Sequence, residues 1–250
     1  MRSACAALAL LLAAAPALAR DGAALMEAVH AQARQHRNQV MDIELVIEDA
    51  RGRKRSRFFT MLYKIFSDQT KSLVRFYRPS NIKGTGLLSA PHDAPGRPTR
   101  QWIYLPAFRT VNQLSSEERQ QSFMGSDFSN ADIAGRRPGE DRHRIVSEEG
   151  RITLVSSVPV NSEDAYSRIE SYILNDIEVP RRVVFYDRAG RKLKTLESLR
   201  FRKIEGMVVV MEAEMKNHQS GGRTLLTKRD VDVSRTIDGD EVGLLSLQNR

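Results

Sequence analysis

The chain has 250 residues, of which 39 are Lys or Arg and 31 are Asp or Glu, giving a formal charge of +8. Its one cysteine excludes an internal disulfide framework and a thiolate metal cluster, while the length is enough to bury a sizeable core in one domain. A pI near 9.8 points to anionic surfaces or acidic partners without choosing among them.

The N-terminus has the layout of a secretory signal peptide. Arg2 supplies the positive start, Ala4 to Ala15 is almost wholly apolar, and Ala17-Leu18-Ala19 is a small-x-small site followed by Arg20. Cleavage after Ala19 is expected, with residues 20–250 as the mature, periplasmic domain. The apolar run is too short for the roughly 20 residues of a membrane-spanning helix. Cys5 leaves with the signal, so the mature chain has no thiol chemistry. In an exported protein the positive charge is read as affinity for anionic lipid or acidic partners, not nucleic acid.

Ala23 to Arg37 predicts a helix, being rich in helix formers and free of Gly and Pro. The period then changes to two. Met41, Ile43, Leu45 and Ile47 fall on one face of a strand and Asp42, Glu44 and Glu48 on the other. The turn Ala50-Arg51-Gly52-Arg53 leads into a second strand, Arg55 to Phe66, with Phe59, Met61, Tyr63 and Ile65 on one face. A third strand, Thr70 to Arg78, stops at Pro79.

His92 to Thr99 predicts a surface loop. The polar stretch Ser115 to Arg144 predicts an insertion covering part of the sheet, with a short helix around Ser116 to Phe123. The second half returns to strands at Arg168 to Leu174, Arg181 to Asp187, Lys192 to Arg202, Met207 to Lys216 and Thr224 to Ser234. About ten strands in antiparallel succession are enough to curl into a closed or an incompletely closed barrel.

The catalytic motifs are missing. His30, His36, His92, His143 and His218 show no metal-ligand spacing, and Gly125-Ser126-Asp127 does not fit a nucleophile elbow. Asp127 to Asp132 lacks the glycine and closing glutamate of a calcium loop, and Asp127 or Ser129 in the role of a helix cap accounts for it. No metal, cofactor or catalytic residue is assigned, and the protein is read as a non-enzyme. A secreted hydrolase would require two or more of His92, His143, Asp127 and Asp132 to meet in one cleft. The cluster Arg51, Arg53, Lys54 and Arg55, with Arg57, is a candidate contact for anionic headgroups or an acidic partner; a solvated turn guarding a strand pair is the alternative.

Three segments in order carry a family resemblance: Arg78-Pro79-Ser80-Asn81-Ile82-Lys83-Gly84-Thr85-Gly86-Leu87-Leu88, then Gln101-Trp102-Ile103-Tyr104-Leu105-Pro106-Ala107-Phe108-Arg109, then Phe123-Met124-Gly125-Ser126-Asp127-Phe128-Ser129. Together they resemble the outer-membrane lipoprotein-sorting proteins of the LolA/LolB-like superfamily. Ser129-Asn130-Ala131-Asp132 is more polar than the family's continuation of the third motif. The resemblance implies a mainly β fold: a single curved antiparallel sheet forming an open, incomplete β-barrel covered by a few helices.

It also implies a carrier that shelters acyl chains of a lipid or lipoprotein in an apolar cavity, working with an inner-membrane exporter of the resistance-nodulation-division type. On that reading Ile43, Leu45, Phe59, Met61, Trp102, Tyr104, Val209 and Met211 are candidate cavity-lining residues. Methionines such as Met61, Met207, Met211 and Met215 suit an adaptable lining. Trp102 and Tyr104 alternate with Ile103 and Leu105, and either pair is open to face the cavity; an ordinary packed core is the alternative for all of them. A non-carrier interaction module docking to a transporter through the basic turn is the rival function.

Overall fold

The computed structural model describes residues 21–92 and 97–248. The expected signal peptide, its cleavage site and Cys5 lie outside the described residues, as do residues 93–96 of the expected loop.

Helix α1 (Gly22–Gln32) starts at Asp21, whose carboxylate accepts the Ala23 N–H at 3.2 Å. It stops short of the expected Arg37 because Gln39 competes for its last turns. The Gln39 amide donates to the carbonyls of Ala33 and His36, so the chain turns there into the first strand.

β1 (Asn38–Glu48) and β2 (Lys54–Ile65) form the expected hairpin, with Gly52 supplying the left-handed φ of +76° that its turn requires. β3 (Thr70–Arg78), β4 (Gly86–Ala90), β5 (Arg100–Leu105) and β6 (Thr110–Gln113) continue the meander. Two short helices follow, α2 (Ser116–Gln120) and α3 (Asn130–Ala134), each opened by a capping box, from Ser115 with Glu118 and from Ser129 with Asp132. The chain then lays down β7 (Asp141–Glu149), β8 (Ile152–Pro159), β9 (Tyr166–Leu174), β10 (Val179–Asp187), β11 (Lys192–Ile204), β12 (Met207–Asn217) and β13 (Arg223–Asp232). A 3-10 turn (Gly239–Val242) and helix α4 (Leu244–Gln248) complete it.

Among the described residues this makes one 13-stranded antiparallel sheet in the order β6-β5-β4-β3-β2-β1-β13-β12-β11-β10-β9-β8-β7. The last strand pairs with the first, and the sheet remains open between β6 and β7. These two edges are consecutive in sequence, so the single connection 114–140 runs from one lip of the open barrel to the other.

The expectation of about ten strands missed β6, β7 and β8. β6 is four residues long, and β7 is an edge strand of mostly charged and polar residues, the composition that blunts a free edge. The expected insertion ends earlier than Arg144, because its last residues belong to β7, and its first helix ends at Gln120.

Cross-strand partners share a face, so the register sorts the side chains. Met41, Ile43, Leu45, Ile47, Phe59, Val74, Phe76, Leu87, Met207, Val209 and Met211 form the buried inner cluster. Following the pairs Ile47–Thr224, Thr224–Met215, Met215–Leu196, Leu196–Val183, Val183–Ser171 and Ser171–Val155 leads along that same face to Val155 and Ile173, where α1 inserts Leu25. On the opposite face Leu73 and Leu88 pack beneath Ile237, Val242 and Leu247 of the C-terminal segment.

Candidate ligand-binding face

The connection between the two edges turns two aromatic residues inward. Met124 and Gly125 take left-handed conformations, and the Phe123 N–H donates to the Phe128 carbonyl at 2.8 Å. The resulting tight loop buries both Phe123 and Phe128. The Phe123 ring lies 5.8 Å from Phe59 and 5.4 Å from Phe76, which are themselves 5.1 Å apart. Leu114, Met124 and Ile133 add to the same cluster, so the insertion is a cover over the inner face.

Polar contacts hold this cover down. Asp127 accepts the Thr224 hydroxyl at 2.7 Å while its own N–H donates to the same Oγ1 at 3.0 Å. Burial pushes the Asp127 carboxyl up, against the downward pull of the Thr224 hydrogen bond. Asp132, on α3, accepts the Tyr166 hydroxyl at 2.9 Å and pairs with the ammonium of Lys194, a residue only 4% exposed. That ammonium also sits 5.3 Å from the ring centre of Tyr166 and 5.4 Å from that of Phe185. Burial, with the Asp132 charge beside it, holds the Tyr166 phenol well above its ordinary range. Lys194 and Tyr166 were not picked out from the sequence, and Phe123 and Phe128 were named there only as parts of the third motif. Lys194 and Tyr166 meet Asp132 only through long-range pairing; the G-S-D-F motif did mark the loop that carries Phe128.

Of the candidate lining residues, Ile43, Leu45, Phe59, Val209 and Met211 come together in the inner cluster, with Met61 packed at its margin. Trp102 and Tyr104 do not join them. They pack in the opposite cluster, and Ile103 takes the inner side. The pair faces outward because the register places Ile103 opposite Leu87, an inner residue, and Trp102 opposite Leu88, an outer one. Trp102 also borders an open groove of about 350 Å³ with Val111, Gln113, Leu244, Leu245 and Gln248.

In the basic turn, Arg53 pairs with Asp49 at 2.8 Å and Lys54 with Glu48 at 3.6 Å. Glu48 also takes Arg223 at 2.8 Å, and that hydrogen bond holds its carboxyl below the ordinary value. Arg51 and Arg55 are exposed. Arg55 shares its face with Arg57 and reaches toward Gly125 in the cover, and desolvation lowers the Arg57 guanidinium.

The four residues a hydrolase would need are engaged separately. His143 uses its ring nitrogens on the Ser157 hydroxyl and the Pro138 carbonyl, both at 2.8 Å, and His92 lies in a bridge to Gln69. Asp127 and Asp132 hold the cover. Among the described residues no three His, Cys, Asp or Glu side chains are grouped to hold a metal ion, and no helix is long and apolar enough to cross a membrane.

A family model described as "Uncharacterized protein" matches residues 68–241. No curated protein matches the chain. Among solved structures, a domain named for outer membrane lipoprotein sorting, from Vibrio parahaemolyticus, superposes with a TM-score of 0.85 at 23% identity, covering 91% of this chain and 98% of that one. A DUF1329 family protein from Desulfovibrio piger gives 0.86 at 24% identity over 90% and 97%. A LolA superfamily protein from Nitrosomonas europaea gives 0.72 at 17% identity over 91% and 100%. The chain therefore belongs to the family of uncharacterized proteins whose model spans residues 68–241, and its fold is that of the LolA-like lipoprotein-sorting proteins.

Proposed function

We propose that this protein is a non-catalytic periplasmic carrier that shelters acyl chains of a lipid or lipoprotein between the inner face of the sheet and the cover formed by residues 114–140. The observation that carries this reading is the pairing of an apolar inner face with a cover tied down at polar points, Asp127 to Thr224 and Asp132 to Lys194 and Tyr166. Polar latches exchange for water at small net cost, whereas each methylene that an acyl chain withdraws from water contributes about 0.8 kcal/mol. Lifting the cover and replacing Phe123 by an acyl chain therefore exchanges one buried apolar contact for another. Ile43, Leu45, Phe59, Met61, Val209 and Met211 are the proposed lining.

The proposed route of delivery runs through an inner-membrane exporter of the resistance-nodulation-division type, with Arg51 and Arg55 of the basic turn meeting the exporter or an anionic membrane surface. Gently purified protein should release lipid on extraction and take up a fluorescent fatty-acyl probe. Absence of both would overturn the carrier reading. The burial of Phe123 at 1% exposure favours one rival, an interaction module with a filled interior, which would bind an exporter without taking up the probe.

A further inference from the structure

Between β12 and β13 the sheet forks internally. The ladder between β12 and β13 runs from the pair Lys216–Arg223 to the pair Glu212–Thr227 and ends there. Beyond it, Met207 to Val210 pair only with β11, and Lys228 to Asp232 pair only with β1. The carbonyl of Val208, on one side of this fork, is met by the Gln32 side-chain amide of α1 at 3.2 Å. The first residue past the fork on the other side is Lys228.

Lys228 pairs with Ile43, which in turn pairs with Phe59, so it stands on the inner face. A register shift separates it from the next residue, and Arg229 turns to the other face, 3.7 Å from Asp42 and 5.7 Å from the Phe58 ring centre. Its partner Ile43 and the next residue of its own strand on this face, Leu226, belong to the inner cluster, together with Phe59, Val209 and Met211. The other deeply placed ammonium of this face, Lys194, has Asp132. Among the described residues the Lys228 ammonium has neither an ion pair nor a hydrogen bond, and desolvation is the one influence on it. Desolvation alone pulls its ammonium down to about 8, yet the residue keeps part of its surface accessible. A group surrounded by protein but still reached by solvent sits in a recess, not in a filled core.

A lone ammonium in an apolar recess costs stability, and a side chain such as Met would fill the position better. A negatively charged oxygen arriving with a ligand would remove that cost. We propose that Lys228 receives the anionic end, a carboxylate or phosphate oxygen, of an amphiphile whose acyl chain lies along the inner face from the β12–β13 fork; this rests on the carrier reading.

The test compares wild type with Lys228→Met in binding palmitate, hexadecyl phosphate, hexadecanol and inorganic phosphate. Wild type should bind at least one of the two anionic amphiphiles about tenfold or more tighter than hexadecanol. Lys228→Met should lose that preference while keeping the wild-type affinity for hexadecanol, which also reports that the variant is folded. Inorganic phosphate at millimolar concentration should not compete; competition would mean a free-anion site and overturn the amphiphile. Hexadecanol bound as tightly as palmitate and hexadecyl phosphate by wild type, or an anionic preference that survives in Lys228→Met, overturns the role of Lys228 and leaves the carrier standing. No binding of any chain by either protein removes the carrier reading and the inference with it.

Discussion

Strands β3 to β5 carry apolar clusters on both faces, and the two are closed in different ways. On the outer face the C-terminal segment is keyed into the sheet: Leu247 is fully buried, and Gly86 leaves it so little room that an added Cβ would come within 2.8 Å of its Cδ2. On the inner face the cover is anchored through carboxylates, a hydroxyl and an ammonium, with Phe123 and Phe128 pressed beneath it. The outer seal rests mainly on shape-matched apolar atoms, with Arg75 donating to the Ser246 carbonyl and the Ile237 N–H to the Asn38 side chain, and it opens by unfolding. A seal made partly of polar latches can open locally, because water replaces what each latch loses.

That contrast is open to attack. Asp132→Ala leaves the Lys194 ammonium buried without its counter-charge and should cost about 3–5 kcal/mol in urea unfolding. It should also speed acyl-probe uptake; a stability loss with unchanged uptake would mean that the cover is structural on both counts. Leu247→Ala should cost about 2–5 kcal/mol by the same measurement while leaving probe affinity untouched. A matching loss of affinity would show that the outer cluster also shapes the binding face.

Lys228→Met should act in the opposite direction. Folding lowers the lysine pKa from 10.5 to about 8, so the native state favours the neutral amine. The penalty is full below about pH 8, where both states are charged, and disappears as pH rises through the ordinary lysine value. Removing the charge should therefore stabilise the apo protein by roughly 1–3 kcal/mol at pH 7, a gain that fades toward pH 10.5 in thermal melts. The smallest change belongs to the basic turn. Exchanging Arg51 and Arg55 for Ser should alter stability by less than about 0.5 kcal/mol and weaken cosedimentation with anionic vesicles by about 1 kcal/mol per charge. Vesicle binding that ignores these residues would remove the membrane contact from the proposal.

Much of this architecture could be read in advance. The alternation of Met41 to Ile47, of Phe59 to Ile65 and of Met207 to Met215 placed three long strands, and Gly52 marked the turn between the first two. The strands that escaped, β6, β7 and β8, lie at or beside the free edges, where there is little apolar face to betray a period. Phe123 and Phe128 stood only as parts of the third motif, with nothing in the sequence to name their partners. Nothing in the sequence singles out Lys228, although its parity with Thr224 and Leu226 is in view.

By itself, then, the sequence determined a single long meander of two-faced antiparallel strands, because alternation and turn chemistry are local and every hairpin is specified by neighbours in the chain. Tertiary structure decided what those local rules cannot express. Pairing β13 with β1 left the open edges at β6 and β7, so one polar connection became the cover of the inner face. The same closure chose which parity points inward, sending Ile103 to the inner cluster and Trp102 and Tyr104 to the outer one, and it stranded Lys228 where two strands part. A period of two defines both faces of a strand equally well; only the partner that folds over one of them makes it the inside.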